Sequence, residues 1–319
     1  MENNIKYDFG WGNPYFLLEI LDRLYQQQLN PHDIKNMIYG PDPGFDDLRQ
    51  LTKQIIMQTT GLSYKYIVIT NGATHGINAV LQMLKRGDSP ITTVLTTEYG
   101  YPFYDEMIMH KGLKRRKDLM YGGSENFVRL IDSPSNPEGK QVRFGDPSID
   151  IWDAVYHNKI YTDDLITYPD HGYFISSYSK LLGITGARVG FIATNNMFSA
   201  MRLINECLKD LATVSVPSQR LIVDILTKVD LERFMGLGKT YLNYNREEFQ
   251  KIEFLFDGQP IQEVGMFYCA HAEKKALEVL DKCGINYVDL GSSYIRLSLG
   301  QTGKITREGI KAIIKETGK

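Results

Sequence analysis

The feature that most constrains the fold is an alternation of short apolar runs and helical stretches between about residues 65 and 195. The run Tyr66–Thr70 is rich in β-branched residues, and Ile77–Leu84 places its apolar residues at helical spacing. Further short apolar runs occur at Thr93–Thr96, Phe127–Ile131, Tyr173–Tyr178 and Ala187–Thr194. Strands that alternate with helices require crossover connections, so the pattern predicts an α/β fold with a mainly parallel sheet covered by helices.

The pattern changes twice after this region. From Met197 to about Asp257 it is helical, with Pro217 as the one clear break. After Gly258 short strands and helices alternate again, which predicts a small C-terminal α+β domain of about sixty residues, too small to hold a large core alone. We therefore predict an N-terminal segment (1–35) that packs with the small domain, a large domain (36–258) and the small domain (259–319).

Composition excludes several classes of protein. The chain has 36 basic and 38 acidic residues and a formal net charge of -2, which is unlike a dedicated nucleic-acid binder. Its one basic run, 114–117, is short and predicts a solvated surface turn. The sequence shows no targeting segment and no window of about eighteen apolar residues. We expect a cytoplasmic protein with no nucleic-acid or membrane partner.

Two other kinds of site find no support. Cys207, Cys269 and Cys283 are too scattered for a disulfide framework, and the six histidines lack the spacing of metal ligands, so no metal is expected. The run 236–240 ends like a phosphate-binding P-loop, but Arg233 stands where that motif needs a glycine.

The residues that carry chemistry lie between 176 and 190, which read SSYSKLLGITGARVG. Lys180 follows a predicted strand among small and hydroxyl residues. A single lysine there would ordinarily be a solvated surface residue. Here Ser177 offers a hydroxyl, Arg188 offers a planar fork for a phosphate, and glycines permit close backbone approach.

This pattern resembles the lysine signature of fold type I pyridoxal-phosphate enzymes, the aspartate aminotransferase superfamily. In that family the lysine carries pyridoxal 5′-phosphate as a Schiff base, which makes Lys180 the candidate. Ser177 and Arg188 match the family's phosphate-contacting serine and arginine. The segment Thr70–Thr74 follows a strand and opens a helix, where backbone N–H groups favour an anion. The resemblance assigns the rest of the phosphate cradle to Gly72, Ala73 and Thr74.

Three further motifs occur in the family's order. The segment 98–104 is similar to the family's aromatic segment, whose ring-stacking residue falls on Tyr101. The segment 133–139 is similar to its Asn-Pro-x-Gly turn, in which Asn136 would donate to the cofactor's phenolic oxygen and border the substrate. Asp153 and Tyr156 match its Asp-x-x-Tyr. The resemblance implies that Asp153 pairs with the protonated pyridine nitrogen and that the Tyr156 hydroxyl bonds the phenolic oxygen.

The remaining matches concern the substrate and a neighbouring subunit. Arg296 resembles the arginine that holds the substrate's α-carboxylate, and Gly12 lies in a segment similar to the N-terminal entry that borders the substrate. Tyr39 resembles a tyrosine that reaches the neighbouring subunit's phosphate, which implies a homodimer. The chain is short for the family, and the missing length falls in the N-terminal arm and the small domain.

The resemblance implies a catalytic group of Lys180, Asp153 and Tyr156, with an amino acid and a 2-oxo acid as substrates. A class I/II aminotransferase is the leading interpretation. The alternatives are a carbon–sulfur lyase or other β- or γ-eliminating enzyme, another pyridoxal-phosphate reaction, and a non-catalytic cofactor-binding protein. Residues 133–139 and 153–156 look closer to the alliinase and tryptophan aminotransferase branch, although Ile184 stands where that branch commonly has a histidine.

Overall fold

A computed structural model describes residues 6–10, 13–25, 38–141, 150–163 and 172–318. The strands of this part of the chain are β1 (Tyr7–Asp8), β2 (Tyr66–Thr70), β3 (Thr93–Leu95), β4 (Lys114–Arg116), β5 (Phe127–Asp132), β6 (Asp150–Asp153), β7 (Tyr173–Ser177), β8 (Gly190–Thr194), β9 (Phe267–His271), β10 (Ile285–Asn286), β11 (Val288–Gly291) and β12 (Tyr294–Ser298). The α-helices are α1 (Tyr15–Leu24), α2 (Asp46–Thr60), α3 (Gly72–Lys85), α4 (Tyr104–Met109), α5 (Tyr178–Leu181), α6 (Met197–Leu211), α7 (Val216–Lys228), α8 (Leu231–Gln250), α9 (Lys274–Lys282) and α10 (Gly303–Thr317).

Seven strands form the large sheet in the order β2-β8-β7-β6-β5-β3-β4. The strands from β7 to β4 run parallel, and β8 lies antiparallel to both of its neighbours. One face of the sheet packs against α3 and α6 in an apolar cluster that includes Val80 and Ile192, and the other packs in a cluster that includes Ile69 and Phe174. The predicted α/β fold with a mainly parallel, helix-covered sheet is confirmed.

One local prediction is wrong. The basic run 114–117 was expected to form a solvated turn, but Lys114–Arg116 is the edge strand β4, paired in parallel with β3. The Lys114 and Arg116 side chains are exposed, while Arg115 is largely buried and forms an ion pair with Asp105 at 2.7 Å. Charged residues on an edge strand discourage pairing with another chain. The basic run therefore protects the exposed edge of the large sheet.

The C-terminal residues form the small antiparallel sheet β11-β12-β9 together with α9 and α10. The start of the chain joins this unit, because β1 pairs in parallel with β10, with Tyr7 opposite Ile285. The predicted small α+β domain is therefore present, and β1 pairs with it, whereas α1 packs against α8 of the long helical stretch. The domain boundaries themselves stay a prediction.

Helices α6, α7 and α8 fill the long helical stretch, and Pro217 lies in the first turn of α7, where its missing N–H is tolerated. The glycines of 236–240 lie inside α8, so no strand leads into them. Among the described helices, none has both the length and the apolar character needed to cross a membrane.

Candidate active site

A cavity of about 370 Å³ lies at the carboxyl edge of the large sheet and is closed on one side by β9 and β12. Strands β2, β3, β5, β6 and β7 all end at this edge, and the reversed strand β8 begins there. Loops that follow parallel strands meet at such an edge, which is where open α/β sheets bind ligands. The predicted residues that line the cavity are Ala73, Thr74, Tyr101, Asn136, Asp153, Tyr156, Ser177, Lys180, Arg188 and Arg296.

One end of the cavity is formed by the start of α3 together with Arg188. No side chain caps the first turn of α3, so its N–H groups are available to an anion. Gly72 has a φ of +79°, and a Cβ placed on it would lie 2.6 Å from Nη2 of Arg188. Because Gly72 has no Cβ, the guanidinium of Arg188 can pack directly against the N-terminus of α3. Gly72 is not itself a lining residue, although its neighbours Ala73 and Thr74 are.

A second glycine makes this close packing possible. Gly190 begins β8 between Thr70 and Ser177, and a Cβ on it would lie 2.6 Å from the carbonyl carbon of Gly72. The carbonyl carbon is a backbone atom and the backbone fixes the direction of a Cβ, so neither atom could move aside as the end of a flexible side chain can. Glycine at this position allows β8 to start directly against the N-terminus of α3.

Two serine hydroxyls complete the same end. The Ser177 Oγ accepts the Ser179 N–H at 3.1 Å and donates to the Val189 carbonyl at 3.2 Å. Ser179 lines the cavity, and its buried Oγ has no hydrogen-bond partner among the described residues. A buried hydroxyl without a partner is costly, so its position beside a helix start and an arginine fits a bound phosphate group.

Lys180 lines the cavity and lies in the single helical turn that follows β7. Its main chain is fixed because the Tyr161 hydroxyl donates to its carbonyl at 2.8 Å. Burial, followed by the positive charges of Arg296 and Arg188, lowers the pKa of the Lys180 amine to about 8. A substantial fraction of this amine is therefore neutral near physiological pH and able to act as a nucleophile or base.

The carboxyl group of Asp153 lies at the end of β6 and is 8% exposed. It accepts a hydrogen bond from the Tyr104 hydroxyl at 2.7 Å, and burial raises its pKa. A buried carboxylate is strongly favoured by a cationic partner. The protonated ring nitrogen of pyridoxal phosphate is such a partner, so the position of Asp153 fits the cofactor.

Arg296 and Asn136 form a clamp at the other end of the cavity. Nη1 of Arg296 donates to Oδ1 of Asn136 at 2.8 Å, and its Nη2 donates to the Gly10 carbonyl at 2.9 Å. No residue that the structure describes accepts a hydrogen bond from Nε of Arg296, and the guanidinium lies 4.4 Å from the centre of the Phe267 ring. The clamp residues are 160 positions apart in the chain, and the fold brings them together.

Two tyrosines complete the predicted set. Tyr101 lines the cavity and packs edge-on against Tyr104, with ring centres 5.7 Å apart. Tyr156 packs in the same way against Phe267 at 5.5 Å. Burial raises the pKa of Tyr156, so its hydroxyl stays protonated and can donate a hydrogen bond.

The remaining two predicted residues are not placed in the cavity. Gly12 lies outside the described residues. The Tyr39 side chain is 82% exposed and does not line the cavity. Sequence reasoning also missed two residues, Asp132 in the cavity wall and Tyr104 beneath Asp153. Tyr104 lay within the predicted aromatic segment, but nothing in that segment indicated that its hydroxyl would meet Asp153.

Comparisons with known proteins agree with this geometry. The family model described as Allinase matches residues 48–253, which is more than half of the chain. A tryptophan aminotransferase-related protein of Arabidopsis thaliana is 28% identical over 196 residues, covering 57% of this chain. That match spans 43% of the Arabidopsis protein, so the chain covers less than half of that relative's length.

Solved structures agree in fold. A protein of Methanococcus jannaschii with an active site similar to kynurenine aminotransferases superposes with a TM-score of 0.79 at 17% identity, covering 97% of this chain and 91% of that one. The aromatic aminotransferase of Pyrococcus horikoshii gives a TM-score of 0.78 at 17% identity, with 98% and 96% covered. A double mutant of Thermus thermophilus aspartate aminotransferase gives 0.78 at 15%, with 97% and 91% covered. The family match over residues 48–253 confirms the predicted superfamily, and these solved structures agree with its fold.

Proposed function

Because this chain belongs to the allinase family of pyridoxal-phosphate enzymes, we propose that it is an aminotransferase that moves an amino group from an amino acid to a 2-oxo acid. The observation that carries the proposal is the position of Lys180. Its amine, with a pKa lowered to about 8, lies in one cavity with an anion site at one end and an arginine clamp at the other. The tryptophan aminotransferase-related protein supports transamination as the reaction.

The residues at the helix start would hold the cofactor's phosphate. They are Gly72, Ala73, Thr74, Ser177, Ser179 and Arg188. Asp153 would hold the ring nitrogen in its protonated form, and the hydroxyl of Tyr156 would donate to the phenolic oxygen, beside the Asn136 amide. When bound, pyridoxal phosphate supplies an electron sink for the electron pair left at the substrate's Cα.

Arg296 and Asn136 bind the α-carboxylate of the amino acid and so orient the bonds at its Cα. Orientation of this kind lowers the barrier before any proton moves. The Lys180 amine then accepts the proton from Cα, which its lowered pKa permits near neutral pH. Aromatic side chains around the cavity, Tyr101, Phe103 and Phe267, limit the access of water.

The cavity also indicates a class of amino donor. Its basic side chains, among the residues that the structure describes, are Lys180, Arg188 and Arg296, and each already has a role. The cavity wall also includes Pro102 and Phe103, which offer no cation for a second carboxylate. We therefore expect a donor with a neutral side chain, and the aromatic aminotransferase among the structural relatives fits this expectation.

The direct test is turnover of a panel of amino acids with and without a 2-oxo acid. We expect a neutral amino acid alone to bleach the near-visible absorption of the purified protein stoichiometrically, and pyruvate or 2-oxoglutarate to restore it. Lys180→Ala should show neither change, while Lys159→Ala, an exposed lysine outside the cavity, should behave like wild type. Wild-type protein that cannot bind pyridoxal phosphate would exclude the proposal.

The allinase match keeps carbon–sulfur lyase activity as the second candidate. A lyase releases ammonia and a keto acid and leaves the cofactor in its starting form. Catalytic release of ammonia from a sulfur-containing amino acid, with the near-visible absorption unchanged, would replace the first proposal with this one.

We also propose that the active unit is a homodimer in which Tyr39 reaches the neighbouring site. Tyr39 is 82% exposed, which suits a side chain that meets another protomer. Mixing inactive Lys180→Ala chains with inactive Tyr39→Ala chains should restore part of the activity, because one hybrid site then holds both native residues. A fully active monomer in sedimentation would contradict the proposal.

A further inference from the structure

A second buried carboxyl group lies beside Asp153. Asp132 ends β5, directly opposite Asp153 on β6, and its side chain lines the cavity although the residue is only 3% exposed. Two acidic residues side by side in the interior are costly, since each disfavours the ionised form of the other. The part of the chain that the structure describes shows no ion pair for Asp132. An ion pair therefore does not explain why Asp132 is buried at this position.

The hydrogen bonds of Asp132 connect it to the clamp. Its Oδ2 accepts the main-chain N–H of Asn136 at 2.9 Å, and its Oδ1 accepts the Thr97 hydroxyl at 3.3 Å. The side chain of Asn136 in turn accepts Nη1 of Arg296 at 2.8 Å. A continuous chain of contacts thus runs from Asp132 through Asn136 to the guanidinium.

We propose that Asp132 is a positioning residue that fixes the main chain of Asn136 and thereby sets the Asn136–Arg296 clamp for the substrate's carboxylate. The inference rests on the proposed function. The loop 133–139 contains two prolines and two serines, and its shape determines where the Asn136 amide points. An acceptor at Asp132 ties this loop to the end of β5, so a substrate meets a clamp that is already in place.

The charge of Asp132 is a separate matter from its role as an acceptor. The titratable groups that face it are Asp153 on β6, Tyr104 on α4 and Tyr156 in the turn after β6. Burial, helped by the charge of Asp153, raises the pKa of Asp132 to about 7. An asparagine could also accept the Asn136 N–H, while its amide donates to Thr97, so the acceptor can be kept while the charge is removed.

The test measures carboxylate binding without turnover. Holoenzyme is titrated by calorimetry with 3-phenylpropionate, which has a carboxylate and an aromatic tail but no amino group. We expect Asp132→Ala to weaken binding about tenfold, because it leaves the buried Asn136 N–H without its acceptor. The affinity of Asp132→Asn for 3-phenylpropionate should lie within threefold of the wild-type affinity. Thr97→Val, which removes the other partner of the same carboxyl, serves as the matched control and should stay within twofold.

A steady-state measurement separates positioning from a general structural role. With a productive donor, Asp132→Ala should raise KM about tenfold, lower kcat by less than threefold and leave the affinity for pyridoxal phosphate unchanged. Equal binding by wild type and Asp132→Ala, or equal losses in Asp132→Ala and Asp132→Asn, would overturn the proposal. Because calorimetry needs no reaction, a failure of the proposed aminotransferase activity would not alter these outcomes.

If Asp132→Ala does not fold, hydrogen exchange of the wild-type holoenzyme decides the question. The Asn136 N–H should exchange slowly, because a buried carboxyl accepts it, and Asp132→Asn should keep that protection. Exchange of this N–H at the rate of an exposed loop would overturn the proposal.

Discussion

The two ends of the cavity are built in different ways. The anion end is assembled from 70–74 and 177–190, two segments that lie in adjacent strands and turns of the large sheet. The clamp end joins Gly10, Asn136 and Arg296, which lie in the N-terminal segment, the loop after β5 and the small sheet. The anion end depends mainly on backbone shape, with glycines where a Cβ would collide, whereas the clamp depends on side chains that meet across the fold.

This difference predicts how each end fails. Changes at the anion end should act on cofactor binding, because they disturb backbone that holds the phosphate. Changes at the clamp should act on substrate binding and leave the cofactor in place. The three predictions below test this separation.

The largest effect is expected at Gly190. Gly190→Ala places a Cβ 2.6 Å from the carbonyl carbon of Gly72, so β8 and the start of α3 must move apart. We expect the affinity for pyridoxal phosphate to fall at least about 100-fold, a loss of roughly 2.7 kcal/mol. The affinity for pyridoxal phosphate is measured by equilibrium dialysis. Gly186→Ala is the matched control inside the same segment, because no described atom beyond the adjacent residues lies within 4 Å of a Cβ there, so the backbone need not move and the variant should bind like wild type.

The next effect separates the clamp from the cofactor. Arg296→Lys keeps the positive charge but loses the planar fork that holds Asn136 and Gly10. We expect kcat/KM for the amino donor to fall on the order of 100-fold while the affinity for pyridoxal phosphate changes less than threefold. Arg307→Lys, at an exposed arginine that contacts Tyr244, is the control. Loss of cofactor from Arg296→Lys would show that the two ends are not independent.

The smallest effect concerns the pKa of Lys180, to which both ends contribute. Positive charge disfavours a protonated amine, so removing either arginine should raise this pKa from about 8. The neutral, reactive fraction at pH 8 should then fall, by up to about tenfold for each unit of the rise. We expect a larger rise in Arg296→Gln than in Arg188→Gln, because Arg296 has the stronger influence.

The readout is reductive methylation of Lys180 in the apoprotein, followed by mass spectrometry over a range of pH. Formaldehyde has no phosphate, so the measurement does not depend on the anion end. A midpoint for Lys180 near that of an exposed lysine in wild-type protein would contradict the lowered pKa.

The sequence could predict most of the anion end because its determinants are local. Glycine, serine and arginine at fixed distances from Lys180 lie in a strand, a turn and the next strand, and hydrophobic periodicity had located those strands. Arg188 could be assigned from the resemblance to the family's lysine signature before any tertiary contact was known, and the structure places it against Gly72.

The clamp was harder to derive. Asn136 and Arg296 could each be matched to a family motif, but no local pattern shows that their side chains meet. Asp132 gave no signal, because an aspartate at the end of a strand is usually solvated. Its importance depends on β6 placing Asp153 beside it and on the loop 133–139 returning an N–H to it, both of which are tertiary facts.

The pairing of β1 with β10 determines when the site can be completed during synthesis. Gly10 is synthesised 286 residues before Arg296, so its carbonyl must wait for that side chain. Domains fold in the order of their synthesis, and contacts between distant residues form last. The residues of the anion end lie between Thr70 and Gly190, so all of them are synthesised before Arg296, and the clamp is the last part of the site to be completed.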